Sequence, residues 1–251
     1  MRHLAATVAW MTVLPVPGSW QPGPVGRADG ARIIGLVPVS GALVGALAVA
    51  VAWSAHVGGL PTVLVGALAV GAAALLTRGM HLDGFADCVD GLGSYGPPER
   101  AREIMRQGTV GPFGAAALAL LLIAEAAAVG ALADRGAWLA IGVAVGAARV
   151  AAVLGCRRGW GPSNPDGFGA LTAGTQGMTS QALWVTVALA VAIPVVSGAL
   201  WQGPAAIAAA LLLSTLAMRH CVRRFGGMSG DVLGFGIELA GVIALIGFCL
   251  G

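Results

Sequence analysis

Long apolar runs, interrupted by short polar or glycine- and proline-bearing turns, dominate this chain. No charged side chain occurs between Arg32 and Arg78, and the run breaks once, at His56-Val57-Gly58-Gly59-Leu60-Pro61, which predicts helices over 33–54 and 60–77. A second pair is predicted over 112–133 and 137–155, joined by the polar turn Asp134-Arg135-Gly136. A polar stretch over 156–180 precedes helices over 182–201 and 204–222, separated at Gln202-Gly203-Pro204, and a last helix over 232–250. A hydrocarbon core of ~30 Å needs about 20 helical residues, so seven segments are expected to cross a membrane. The expected fold class is all-α, a polytopic membrane bundle forming one domain over 1–251.

Composition agrees with that pattern and narrows the chemistry. Of the 251 residues, 57% are hydrophobic and 10% charged, and the mean hydropathy is +0.86, which excludes an ordinary soluble domain. The basic residues are 14 arginines and no lysine, which removes Lys-dependent P-loop, Schiff-base and kinase mechanisms. With the predicted spans, twelve arginines fall on one side, Arg135 on the other, and Arg149 inside a span. By the positive-inside rule the arginine-rich side is cytoplasmic, so a multi-pass protein of the cytoplasmic (inner) membrane is expected, with its chemistry facing the cytoplasm. The lipid bilayer is then an obligatory partner, and no nucleic acid is expected. Arg2-His3, an apolar stretch and Pro15-Val16-Pro17 have the outline of a signal peptide, but a start on the far side would invert the arginine distribution. Residues 1–16 are therefore expected to form an interfacial helix on the inner leaflet. The cysteines (Cys88, Cys156, Cys221, Cys249) are unclustered, indicating neither a disulfide framework nor a zinc site. Gly41 and Gly45 suit close helix packing in lipid.

Eight of the eleven acids lie on the arginine-rich side, and three fall in one decapeptide, His81-Leu-Asp83-Gly-Phe-Ala-Asp87-Cys-Val-Asp90. The i, i+4, i+7 spacing puts the three carboxylates on one helical face, within about 60° of arc. Two carboxylates ~6 Å apart repel by roughly 3 kcal/mol at an effective dielectric of about 20, so the array calls for a cation or a trapped proton. Mg²⁺, which commonly joins one or two carboxylates to substrate phosphates, answers that need; a solvated acidic helix face is the plainer alternative. His81 is as suited to packing as to binding a ligand.

Pro97-Pro98-Glu99-Arg100-Ala-Arg102-Glu103-Ile-Met-Arg106 reads as a short helix, in which Glu99 and Arg100 suit capping and surface ion pairs, and Arg102 and Arg106 suit phosphate contacts. Gly108-Thr-Val-Gly111-Pro112-Phe-Gly114 is either an anion cradle at a helix start or a hinge. In Arg223-Arg224-Phe-Gly226-Gly227-Met-Ser229-Gly230-Asp231, glycines and a serine before a helix offer backbone N–H groups to a phosphate, while Asp231 is a helix cap or a metal ligand. Glu238 shares its face two turns on and suits either the site or interhelical hydrogen bonding. Glu125 and Arg149, offset by ~6 Å on consecutive helices, read as a buried structural ion pair. The loop from Arg157 to Gly174 could line a substrate pocket, although its glycine and proline content alone only indicates a loop.

Together these motifs resemble the cobalamin synthase (adenosylcobinamide-GDP ribazoletransferase) family. The resemblance is carried by His81-Leu-Asp-Gly-Phe-Ala-Asp-Cys-Val-Asp-Gly91, Arg102-Glu-Ile-Met-Arg106, Gly108-Thr-Val-Gly-Pro-Phe-Gly114 and Gly226-Gly-Met-Ser-Gly-Asp231-Val-Leu-Gly-Phe-Gly-Ile-Glu238, with Leu14-Pro-Val-Pro17 at the start. One departure is Met11-Thr-Val-Leu14 where the family has Phe-x-Thr-Arg, which leaves that segment without an arginine for phosphate. The resemblance implies a polytopic inner-membrane transferase. It would join adenosylcobinamide-GDP to α-ribazole or its 5′-phosphate and release GMP with Mg²⁺ present, with other nucleotide-loop assembly enzymes as candidate partners. On that basis Asp83, Asp87 and Asp90 are the candidate catalytic and metal-binding residues, with Asp90 either completing the metal shell or taking the hydroxyl proton. Asp231 and Glu238 are further metal candidates, and Arg78, His81, Arg102, Arg106, Gly227, Ser229 and Gly230 are the substrate-binding candidates. A CDP-alcohol phosphotransferase would also carry aspartate-rich helices, but only the Asp83-x3-Asp87 half of its motif is present. A transporter subunit would place its charges near the midplane of both repeats, whereas these cluster in loops.

Overall fold

The computed structural model describes residues 2–20 and 25–250, leaving residue 1 of the expected interfacial helix and residue 251 outside the description. Among the described residues twelve α-helices follow one another: α1 (Arg2–Met11), α2 (Arg27–Val57), α3 (Thr62–Leu76), α4 (Met80–Gly93), α5 (Pro98–Arg106), α6 (Pro112–Asp134), α7 (Trp138–Ala147), α8 (Val150–Gly155), α9 (Phe168–Thr172), α10 (Met178–Ala192), α11 (Gln202–Phe225) and α12 (Gly230–Cys249). Among the described residues there is no strand, only two isolated bridges, Arg157 with Gln176 and Pro162 with Met228. Six helical segments are long and apolar enough to cross a membrane: α2, α6, α7 continued by α8, α10 with its 3₁₀ end, α11 and α12. A seventh is reached only when α3, of 15 residues, is counted together with α4, which follows it after a 94° bend.

The expected spans are recovered with one shift. The segment expected over 182–201 runs instead from Met178 to Val195, because Pro194 lies in a closing 3₁₀ turn and cannot donate to the helix. Elsewhere the turn chemistry holds. Pro112 follows the N-cap Gly111, Gly59 and Gly136 take positive φ in the turns after α2 and α6, and Ser229 caps α12.

Small residues let the spans approach closely, as lipid-embedded helices require. A Cβ on Gly41 would meet the carbonyl of Gly146, one on Gly45 that of Gly142, and one on Gly66 that of Ala126, so α2 seats on α7 and α3 on α6 without side chains between them. Cross-links distinguish the two ends of the bundle. At one end Thr62 donates to Asp134 at 2.6 Å and Arg135 donates to Cys249 O at 3.0 Å. The other end gathers the arginines: Arg27 donates to the carbonyls of Ala170 and Ala173, Arg224 to Ser94 O and Gly96 O at 2.8 Å each, and Arg102 to Phe225 O at 3.1 Å. α1 lies against the start of α2, with the Thr7 hydroxyl donating to Ile33 O.

Candidate active site

The site forms where α4 crosses the arginine-rich end. After α3 the chain turns at Arg78 (φ 58) and Gly79 (φ 65), both left-handed, and this swings α4 away from the line of α3. Holding a side-chain-bearing residue there costs about 1–2 kcal/mol, and Arg78 is the only non-glycine among the described residues to do so. Its guanidinium donates to Ala9 O and Trp10 O at 3.5 and 3.1 Å, satisfying carbonyls left open at the end of α1.

α4 then packs lengthwise on α12, and glycines set how close it comes. A Cβ on Gly84 would stand 2.7 Å from the Asp231 Cα, and one on Gly234 3.0 Å from the His81 Cα. Asp83 and Asp87 are thereby set against Asp231 in the first turn of α12. Asp83 is exposed and Asp87 half-buried. No arginine or histidine of the described residues lies within ion-pair distance of any of the three. Burial first, and then the negative charges of Asp83, Asp231 and Asp90, push the Asp87 carboxyl up to about 7. The Ser229 hydroxyl donates to Asp231 at 3.3 Å and also accepts the Val232 N–H, so it caps α12 rather than facing outward for a phosphate.

Asp90, expected as metal ligand or base, has another engagement. Its two oxygens accept the N–H groups of Gly111 at 2.7 Å and Gly114 at 2.9 Å, so a carboxylate from α4 caps the start of α6. A Cβ on either glycine would strike that carboxylate, which explains Gly111 and Gly114 of the 108–114 motif: their N–H groups hold a protein carboxylate. Glu238, expected beside Asp231, sits seven residues and therefore ~10 Å deeper along α12. It faces His81 Nδ1 at 3.6 Å, too far for a hydrogen bond, and lines a cavity of about 50 Å³ with Glu125 and Arg149. The expected Glu125–Arg149 contact is replaced by this three-residue arrangement, in which Arg149, at the break between α7 and α8, donates to Val145 O at 2.6 Å.

The remaining candidates divide similarly. Arg102 ties α5 to the end of α11 and pairs with Glu99 at 3.0 Å, while exposed Arg106 donates Nε to Arg102 O at 3.2 Å. Gly227 is a contact glycine, since a Cβ there would collide with Pro162 and Ser163, where the 157–167 loop exchanges backbone hydrogen bonds with Met228. Gly230, Arg78 and His81 line a second cavity, of about 470 Å³, which Asp83 and Asp231 also face. Its far walls include Trp10 and Ile34, which no sequence motif singled out, and Phe168, from the 157–174 loop expected to line a substrate pocket.

Among the described residues no three His, Cys, Asp or Glu side chains form a metal-binding group. A divalent ion such as Mg²⁺ takes few protein carboxylates and completes its shell with water and substrate phosphate. The unneutralised charge that raises Asp87 is what such an ion would relieve.

Helical spans with carboxylates facing a cavity at one polar end define a multi-pass membrane protein with a candidate active site at that end. Residues 3–249 match the family model described as cobalamin-5-phosphate synthase, and the chain belongs to that family. It is 36% identical to the adenosylcobinamide-GDP ribazoletransferase of Corynebacterium efficiens, over 96% of this chain and 88% of the relative. Proteins of the same name from Frankia casuarinae (36%, 94% and 90% covered) and Bradyrhizobium diazoefficiens (35%, 98% and 92% covered) are similar over nearly the whole length. No solved structure matches the chain.

Proposed function

We propose that this protein joins adenosylcobinamide-GDP to α-ribazole or its 5′-phosphate and releases GMP, at the cytoplasmic face of the cell membrane. The observation that carries the reading is the set of carboxylates, Asp83, Asp87 and Asp231, without basic partners, of which Asp83 and Asp231 face a cavity of about 470 Å³. The relatives' name supports the substrates, and the gathering of twelve arginines at the same end supports the cytoplasmic orientation.

In the reaction the ribose 3′-oxygen bonds to the phosphorus borne by the cobinamide, the bond from that phosphorus to the GMP oxygen breaks, and the hydroxyl proton leaves. Asp83 and Asp87 would hold Mg²⁺. What the ion supplies when bound is charge neutralisation on the diphosphate and on the departing oxygen. Asp231, facing the cavity with its carboxylate oriented by Ser229, accepts the hydroxyl proton in place of Asp90, whose oxygens already serve α6. Arg78, on the cavity wall, turns its remaining N–H groups to phosphate oxygen. Catalysis is thus positioning and electrostatics, as in phosphoryl transfer generally.

The test is GMP release from adenosylcobinamide-GDP by purified protein in lipid or detergent, with and without α-ribazole and Mg²⁺. Release that depends on both, and that falls at least about a hundredfold in Asp83→Asn, is expected. GMP release indifferent to α-ribazole, or wild-type rates in well-folded Asp83→Asn, would refute the assignment.

A further inference from the structure

The structure assigns a subsite for the acceptor: we propose that the cavity facing Asp83 and Asp231 takes the riboside, its fused aromatic base packed against the Trp10–Phe168 pair and its ribose turned toward the carboxylates, while the corrin of the other substrate stays outside. This inference rests on the transferase reading above and deepens it by saying which substrate enters.

Size is the first argument. A cavity of about 470 Å³ suits a drug-sized ligand, as a benzimidazole riboside is, whereas a corrin with its amide side chains is several times bulkier. The second argument is polarity. Away from Asp83, Asp231, Arg78 and His81 the walls are Ile34, Val37, Leu233 and Ile237 with the two aromatic rings, and the lining contains no amide or hydroxyl side chain. Guanine packed on the aromatic wall, away from those charged groups, would leave its amide and amino groups unpaired, a costly loss, whereas the fused carbocyclic ring of benzimidazole presents carbon edges and faces that this wall matches.

The aromatic pair is held for such a task. Trp10 and Phe168 have ring centroids 5.6 Å apart and planes tilted by 52°, so they form an angled wall, and both stay half-buried. Each sits on a separately anchored element. Arg78 fixes the end of α1 through Trp10 O, and Arg27 fixes α9 through the carbonyls of Ala170 and Ala173. Trp10 and Phe168 come from α1 and α9, and the carboxylates from α4 and α12, so base and ribose are gripped by different parts of the chain.

The experiment measures steady-state kinetics with α-ribazole and with an imidazole riboside, which lacks the fused ring, for wild type, Trp10→Ala, Phe168→Ala and the conservative Trp10→Phe. Wild type is expected to show a KM for the imidazole riboside about tenfold above that for α-ribazole. Each alanine variant is expected to raise the α-ribazole KM about tenfold, keep the adenosylcobinamide-GDP KM within about twofold, and narrow the discrimination between bases. Trp10→Phe restores most of it. A rise in the adenosylcobinamide-GDP KM instead, or unchanged base discrimination in the variants, overturns the subsite. Should an alanine variant fail to fold, Trp10→Phe and the wild-type discrimination decide: equal KM values for the two ribosides overturn it. Absence of any α-ribazole-dependent turnover in wild type would instead sink the transferase reading, so the two failures are distinguishable.

Discussion

Replacing Asp87 by Asn is expected to stabilise the metal-free protein while removing its activity. Asp87 rises from an ordinary 3.8 to about 7, chiefly through burial and secondly through Asp83, Asp231 and Asp90. That rise would correspond to ~4 kcal/mol for a fully desolvated group, at ~1.4 kcal/mol for each tenfold change in the proton equilibrium. Asp87 is only half-buried, so solvent screening brings the expected effect down to ~1–2 kcal/mol. The folded state holds the proton up to about pH 7 whereas the unfolded chain releases it near 3.8, so between these values the folded state binds more protons. Stability therefore falls as pH rises through that window, and the whole penalty is present above pH 7. Asn carries no such penalty. Apparent Tm of purified protein in detergent, measured with EDTA from pH 4 to 8.5, is expected to show Asp87→Asn gaining on wild type as pH rises, reaching a few degrees at pH 8. Adding Mg²⁺ is expected to raise the wild type and close the gap, because the ion then neutralises the same charge. A variant less stable than wild type at pH 8 in EDTA, or a difference that ignores pH, would refute the account of Asp87 as an uncompensated charge.

Three further outcomes follow from the packing. Asp90→Ala leaves the Gly111 and Gly114 N–H groups without their acceptor and is expected to cost about 1–3 kcal/mol in stability, with the KM of the remaining folded enzyme unchanged; a wild-type Tm would count against the capping role. Gly84→Ala forces a Cβ against the Asp231 backbone and is expected to lower kcat by about a hundredfold through a shift of α12 on α4, and full activity would show that the contact does not position the site. Arg149→Met leaves Glu125 and Glu238 around one small cavity without a cation and is expected to destabilise by about 3–5 kcal/mol, with partial recovery on adding Glu125→Gln. No recovery in thermal unfolding would mean that the three groups are not coupled.

Much of this molecule is legible along the chain because lipid imposes a local rule. A helix that must satisfy its own backbone in hydrocarbon announces itself by about 20 uncharged residues, and so the spans at 112–133 and 232–250 agree with Pro112–Asp134 and Gly230–Cys249 to within two residues. The 182–201 segment shifted because Pro194 acts through its missing N–H, which mean hydropathy does not register. The i, i+4, i+7 spacing likewise put Asp83, Asp87 and Asp90 on one helical face.

Periodicity relates residues of one helix to each other and says nothing about what arrives from another. Asp90 differs from Asp83 and Asp87 only because the first N–H groups of α6 reach it. Glu238 parts from Asp231 because the axial rise takes it to the depth of Glu125 and Arg149. Trp10 and Phe168, 158 positions apart in sequence, become one wall of a cavity through the anchoring of α1 and α9. Membrane residence, arginine polarity and the acidic motif were therefore local properties, written in composition and spacing. Which carboxylates stay uncompensated, and which apolar side chains stand opposite them, depended on close approaches at Gly84, Gly111 and Gly234 that exist only once the helices are packed.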